Sequence, residues 1–324
     1  MNFAHWRINE QITSSLYKCL GMTDLVDSEC LEQSELAATV IIPCHNAAST
    51  LPEQLEALSR QTFDRPFELV FIDNGSTDDS LAVASAYADR FAFFRVVIAN
   101  ESKGAGYARN EGVKAATTER ILFCDADDVA GEGWVAAMVD ALDRGALVGG
   151  GREFYRLNAG WHPCMRKQSD DDAIFCDVFF SGGSKYRHVG AGNLGIRRSV
   201  FVEVGGFDSD LPVHEDADLC IKAQELGYTL DLCPEALMHI RCRQKPGLIF
   251  IQSLVWGYWS VALHKKHKKI LGNQPVVRPI LGLGRLFFSV VLVHTKAEFI
   301  SWSWRVGWKM GRLYGSVALG VFVL

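Results

Sequence analysis

No two cysteines in this chain are spaced C-x-x-C, and the nine present (Cys19, Cys30, Cys44, Cys124, Cys164, Cys176, Cys220, Cys233 and Cys242) are scattered and odd in number. That pattern argues against a zinc knuckle or a disulfide framework and fits mostly buried thiols in a reducing compartment. The opening MNFAHWRINEQITSSLYKCLG lacks an apolar run closed by a small-residue cleavage site, so the sequence predicts a protein that is not secreted. No G-x-G-x-x-G follows the first apolar run, which disfavours a dinucleotide-binding dehydrogenase. Acids are nearly missing from the end of the chain: from Arg241 onward 13 Lys and Arg face the single acid Glu298, whereas residues 1–240 carry 20 against 37 acids. The net charge of −5 therefore conceals two regions of opposite sign.

A chain of 324 residues with 48% apolar content can bury a substantial core. Residues 1–36 read as a polar, partly helical lead without a motif. Short continuous apolar runs then recur at ATVIIPC (38–44), FELVFID (67–73), FFRVVIA (93–99) and RILFCD (120–125). Rich in β-branched and aromatic residues, they read as strands covered on both faces. Between the first two, STLPEQLEALSRQ predicts a helix: Thr50 and Glu53 fit a capping box, Pro52 sits in the first turn, and Leu51, Leu55 and Leu58 share a face. A second helix is expected from GSTDDS through Leu81, Ala84, Ala88 and Phe91. Strands alternating with helices predict an α/β fold built on a mostly parallel sheet.

In such sheets ligands bind beyond the carboxyl ends of the strands. Those ends read Cys44-His45-Asn46, Asp73-Asn74-Gly75 and Asp125-Ala126-Asp127-Asp128. Clustered carboxylates at a strand exit suit Mg²⁺ or Mn²⁺, which take one or two carboxylates together with substrate phosphates. An acidic turn capping the following helix would use the same letters.

Five ordered segments carry a family resemblance. VIIPCHNAASTL, LVFIDNGSTDDS, SKGAGYARNEGV, ILFCDADD and AGNLGIRRSVFVEVGGFDSDLPVHEDADLCIKAQELGY, over roughly residues 38–240, resemble the family 2 glycosyltransferases of GT-A fold. The resemblance implies an inverting transfer from a nucleotide-sugar donor, most commonly a UDP-sugar. It implies donor contacts from Pro43, His45, Asn46, Asp73, Lys103, Gly104, Arg109 and Asp125, with Lys103, Gly104 and Gly106 preceding a helix whose start favours anions. It implies metal contacts from Asp125, Asp127 and His239, a general base at Asp216 beside Glu215, and an acceptor-side loop at Gly205-Gly206. Each has a plainer reading: an Asx-turn for Asp73, a salt-bridged surface residue for Arg109, a core residue for His239, and helix capping for His214-Glu215-Asp216. Trp134 and Trp161 could stack on sugars or simply pack.

A nucleotidyltransferase would carry a Gly-rich loop with Lys or Arg after the first strand, and PCHNAASTLP has none. An inactive membrane-bound homologue would have lost the carboxylates that are present here. The acceptor is expected to be a glycan or a lipid-linked sugar, with a polyprenyl phosphate as the alternative; the retained Glu215-Asp216 favours the former, because a phosphate acceptor needs little help from a base. No nucleic-acid partner is expected.

The sequence thus divides into a lead (1–36), a catalytic region (37–245) and a basic, apolar, helical tail (246–324). In the tail, GLIFIQSLVWGYWSVAL runs into HKKHKK, ILGLGRLFFSVVLVH is broken by Arg285, and Trp302, Trp304 and Trp308 interleave with Arg305, Lys309 and Arg312. Aromatic anchors alternating with cations predict helices lying on the cytoplasmic face of the plasma membrane; helices packed on the catalytic region, a homodimer interface or one full span would use the same features.

Overall fold

The computed structural model describes residues 36–158, 176–177, 186–271, 284, 286, 288–321 and 323. Residues 1–35 of the lead, Trp161 and Arg285 lie outside the described residues. The sequence-predicted strands form as β1 (Thr39–Cys44), β2 (Glu68–Asp73), β3 (Phe93–Ile98) and β4 (Arg120–Cys124), joined through helices α1 (Leu51–Ser59), α2 (Ser80–Ala86) and α3 (Ala105–Ala115). Then come β5 (Val129–Ala130), α4 (Trp134–Arg144), β6 (Leu147–Glu153), the small pair β7 (Cys176–Asp177) and β8 (Arg187–His188), β9 (Asn193–Arg197), α5 (Arg198–Glu203), α6 (Glu215–Glu225) and β10 (Leu230–His239). The tail contributes α7 (Pro246–Lys266), α8 (Lys268–Leu271) and α9 (Lys296–Leu319).

The main sheet has the order β3-β2-β1-β4-β9-β6-β10-β5. β3, β2, β1 and β4 are mutually parallel, β9 is antiparallel to β4 and β6, and β10 returns parallel to β6. This is the mixed, mostly parallel α/β sheet expected. Alternate residues feed two cores: Val40, Ile42 and Phe71 pack with α1 and α4 on one face, while Ile41, Ile72 and Phe123 pack with α3, α5 and α6 on the other. Gly112 lets α3 settle onto the sheet, since a Cβ there would stand 2.6 Å from Ile41 and 2.8 Å from Ile72.

Several local expectations need correction. β3 is the sheet edge and half-exposed, with Val96 and Ile98 open to solvent, so its continuous apolar run is not covered on both faces. α2 stops at Ala86 and gives way to a 3₁₀ turn over Ala88–Arg90. The Thr50–Glu53 capping box is not made: the Thr50 hydroxyl donates to the Ala47 and Ala126 carbonyls, and Glu53 pairs with Arg241. A capping box forms instead at the start of α9, between Thr295 and Glu298. Trp134 is fully buried, its indole N–H donating to Asn193 Oδ1 at 2.7 Å, so it is a core residue with no face for a sugar.

The tail is packed onto the body. Val261 and Leu263 of α7 share a core with Ala217 and Ile221 of α6. Helices α7 and α9 run in the same direction and nearly touch backbone to backbone: Gly307 meets Phe250 and Ser253, Gly311 meets Leu254 and Tyr258, and Gly315 meets Tyr258 and Val261. Small residues at this spacing permit such close approach. The basic cluster at the end of α7 is partly tied to the body, although its four lysines remain exposed. Lys266 binds Asp208 and Asp218, His267 Nε2 meets Asp218 Oδ1 at 2.7 Å, and Lys265 donates to the Leu319 carbonyl, which leaves Lys268 and Lys269 outward. The cause is Asp218, a fully buried carboxylate on α6 that also takes Lys222 at 3.1 Å.

Burial alone would raise the Asp218 pKa, but the hydrogen bonds from His267 and Lys266 and the charge of Lys222 bring it down to about 2. A depressed carboxylate adds stability that is present above its unfolded value and is lost as pH falls through the folded one. Asp218→Asn is therefore expected to lower stability by roughly 3 kcal/mol at neutral pH, in the range for breaking a buried pair. Denaturant titration of both proteins should show that gap closing as pH drops from about 4 towards about 2.

Candidate active site

The loops after β1 and β2 and the start of α3 enclose a cavity of about 190 Å³ lined by Pro43, Cys44, His45, Asn74, Lys103, Gly104, Ala105 and Ala108. Four of the eight expected donor residues thus meet at one cavity. Asn74, which sequence reasoning named only as part of a strand end, ties it together. Its Nδ2 donates to the Ala99 and Ser102 carbonyls and its Oδ1 accepts from Gly104 N at 2.9 Å. Gly104, at φ +127, is the N-cap of α3, so the free N–H groups of the first turn open towards the cavity. Gly106 lies inside α3, where a Cβ would stand 3.2 Å from Glu215 and 3.3 Å from Phe207.

Asn46 and Asp73 shape the rim. Asn46, in the left-handed region at φ +56, accepts on Oδ1 from Thr77 N at 2.7 Å and clasps the two loops together. Asp73 is buried and accepts from Ser76 N at 3.2 Å, so the Asx-turn reading holds for its carboxylate.

Beyond β4, ligand-bearing oxygens of Asp125, Asp127 and Asp128 lie within 4.8 Å of one another. Burial, then the neighbouring carboxylates, raises Asp127, and the same two causes push Asp128 up to about 8. Asp127 and Asp128 thus resist carrying full charge together, and a hard divalent cation on oxygen ligands relieves that repulsion. The residues present therefore fit Mg²⁺ or Mn²⁺. Asp128 also accepts from Arg241 N at 2.8 Å, while the Arg241 side chain donates to the Asp127 carbonyl at 2.8 Å.

His239 stands outside this carboxylate group. Its Nδ1 lies 2.6 Å from Glu153 Oε2, so Nε2 is the ring nitrogen left for another partner.

Arg109 has its partners within the protein. It is 4% exposed, and its guanidinium bridges Asp125 Oδ1 at 2.6 Å and Glu215 Oε1 at 3.0 Å, with Phe207 beneath it. It faces two carboxylates of the protein rather than the open cavity. This bridge joins the end of β4 to the start of α6. Asp216 lies next along α6, and its Oδ2 accepts from Ala191 N at 3.3 Å. Gly192, one residue on, abuts Asp125 so closely that a Cβ would collide with Oδ2. The Gly190-Ala191-Gly192 segment thus separates Asp216 from the aspartate cluster by only a few residues' width.

Burial and the Asp216 charge raise Glu215 to about 7, with Arg109 opposing them. His214 enters α6 in the left-handed region at φ +67, and its Nε2 donates to the Trp256 carbonyl of α7 at 2.9 Å. Gly205-Gly206, at φ +78 and +67, closes α5; Asn110 binds the backbone of Phe207 on both its groups, and Lys222 donates to the Gly206 carbonyl at 2.7 Å. The structure uses the pair for a turn that fixes Phe207 under Arg109. Asp128 was named from sequence only as part of the strand-exit cluster, and Glu153 and Arg241 were not singled out at all.

Comparison with known proteins adds three findings. The profile of the family described as "Glycosyl transferase family 2" matches residues 39–205. A glycosyltransferase, AglE, of Haloferax volcanii is 27% identical over 203 residues, 61% of this chain and 65% of the relative; a probable glycosyltransferase, YdaM, of Bacillus subtilis is 26% identical over 255 residues, 75% of this chain and 56% of the relative. The chain thus spans less than two thirds of either relative. Among solved structures, a mannosyltransferase of Pyrobaculum calidifontis in complex with GDP-Man and Mn²⁺ superposes with a TM-score of 0.61 at 16% identity, covering 87% of this chain and 86% of its own, which shows a shared fold.

Arg109→Met would leave Asp125 and Glu215 without their shared cation in a buried setting. The expected loss is roughly 3 kcal/mol, read as a lower thermal midpoint. Arg109→Lys should recover only part of it, because a single ammonium does not reproduce the fork that spans both carboxylates.

Proposed function

The chain belongs to glycosyl transferase family 2, and on that premise we propose that it transfers a sugar, with inversion, from a nucleotide-diphosphate sugar to a hydroxyl of a glycan or lipid-linked acceptor. The observation that carries the reading is the placement of Asp216 beside the aspartate cluster, across the Gly190–Gly192 segment, together with the cavity at the ends of β1 and β2 and the start of α3.

In this reading the base and ribose occupy the cavity between His45, Asn74 and Lys103, with Asp73 and Asn46 at the rim. The first turn of α3 and Lys103 face the phosphates. Asp127, with Asp125 or Asp128, would hold Mg²⁺ or Mn²⁺, which supplies neutralising charge to the diphosphate as it leaves. The Mn²⁺ and GDP-sugar of the Pyrobaculum complex are of the same chemical class, which supports both the ion and the donor. Asp216 receives the proton of the attacking hydroxyl on the acceptor side. Arg109 is a positioning residue: it sets the separation between the donor-side and acceptor-side carboxylates.

Two variants separate the roles. Asp127→Ala is expected to abolish Mn²⁺-dependent binding of UDP or GDP in calorimetric titration. Asp216→Asn should keep that binding and lose about 10²–10⁴-fold in transfer, the usual contribution of a general base. Normal nucleotide affinity in the first variant, or normal turnover in the second, removes the corresponding assignment.

The tail supports placement on the cytoplasmic membrane surface. α7 is the one helix among the described residues long and apolar enough to cross a bilayer. Leu248, Ile251 and Val255 are exposed along α7, and Met310, Leu313, Tyr314 and Val317 along α9, each set at helical spacing. Such stripes suit helices lying in the membrane plane. After cell fractionation, full-length protein is expected with the membranes at low salt and in the soluble fraction after alkaline carbonate. Full solubility at low salt would refute attachment, and resistance to carbonate would replace it with a span.

A further inference from the structure

Among the described residues Arg312 has no counter-charge. It is 7% exposed within the α7–α9 pair, and its Nε and Nη2 are sealed from solvent without a hydrogen-bond partner. α7 contains no acid, and the only acid of α9 is Glu298, 14 residues away and engaged in the helix cap. At 1.5 Å per residue that is a separation of about 21 Å. Burial lowers the Arg312 pKa to about 10, and burial followed by the Arg312 charge lowers Lys309, one turn earlier on the same helix. An unpaired buried guanidinium is costly and persists where something supplies its anion.

The surroundings indicate what that anion is attached to. Trp308, one turn before Arg312, has its ring 6.1 Å from that of His214, and Trp256 lies 5.9 Å from the same histidine. His214 immediately precedes Glu215-Asp216. On the outer side, Leu313, Tyr314 and Val317 of α9 are exposed beside Arg312. The cation thus sits between an apolar outer stripe and the aromatic group at the acceptor end of the site. A planar guanidinium matches a phosphate through paired N–H donors.

We propose that Arg312, assisted by Lys309, is a binding site for a phosphate carried on a lipid, whose chain lies along the exposed stripes of α7 and α9 and whose head reaches His214. This rests on the glycosyltransferase reading only in making the lipid the carrier of the acceptor; the phosphate site stands on Arg312 itself.

The test uses the full-length chain in uncharged detergent, with binding read from the change in total intrinsic tryptophan fluorescence, to which Trp256 and Trp308 contribute. The probes are a polyprenyl monophosphate, the corresponding polyprenol and phosphatidylglycerol. Polyprenyl monophosphate is expected to bind and polyprenol to bind far more weakly. Arg312→Met should weaken phosphate-lipid binding by at least about tenfold, the scale of losing charge-assisted hydrogen bonds, with Arg312→Lys in between. The thermal midpoint of Arg312→Met should stay level or rise, because replacing an uncompensated buried charge with an apolar side chain is neutral or stabilising. Preference for polyprenyl monophosphate over phosphatidylglycerol assigns the site to the acceptor carrier, and equal binding assigns it to the membrane headgroup. Unchanged binding of all probes by Arg312→Met, or a midpoint lowered by several degrees as for a structural ion pair, overturns the proposal. Mn²⁺-dependent UDP or GDP binding, measured in parallel and expected to be unchanged by Arg312→Met, reports separately on the glycosyltransferase reading; its absence in the wild type would sink that reading alone.

Discussion

One buried guanidinium sets the geometry of the site. Arg109 holds Asp125 at the end of β4 and Glu215 at the start of α6, two carboxylates separated by 90 positions in sequence, and is itself fixed by Phe207. Placing one cation between two anions away from water is favourable only when the fork fits both, so each neighbour must keep its position. The fit of α3 onto Ile41 and Ile72 through Gly112 sets the height of the arginine; the Gly205-Gly206 turn sets the phenylalanine beneath it. The two halves of the sheet, parallel and mixed, are registered to each other at this point.

What could be read from sequence follows from how local each cause is. β1, β2 and β4 were legible because both faces are covered and the whole run is apolar. β6 was not, since LVGGGRE has little strand character; its glycines are there because Val189, Asn193 and Pro234 press on the backbone at Gly149, Gly150 and Gly151. The cavity residues Pro43, His45, Lys103 and Gly104 were legible as strand-end and helix-start chemistry, and Asn74 could have been found in the same way, standing between Asp73 and Gly75 at a strand exit. Arg241 gave no such signal: it lies in a basic stretch, and its role depends on a contact with Asp127 and Asp128, more than a hundred residues earlier. Arg109 was legible as a site residue but not as a bridge, because nothing in GYARNEG states which carboxylates will surround it.

The capping boxes make the same point on a smaller scale. Thr50 and Thr295 each begin a T-x-x-E pattern, and only the second is used as a cap. At α1 the tertiary partners Ala126 and Arg241 draw both side chains away. At the exposed start of α9 no such partner competes, and the local preference is realised.

The packing of α7 against α6 bears on how this protein can be divided. Composition changes sharply near residue 245, yet cohesion does not: Ala217 and Ile221 are covered by Val261 and Leu263, and the buried carboxylate of Asp218 draws two of its three side-chain partners, Lys266 and His267, from the end of α7. A chain cut at that compositional step would strip the outer layer from the helix that begins with Glu215 and Asp216. For anyone seeking a minimal soluble catalytic unit, the apolar helix that looks dispensable is part of the wall.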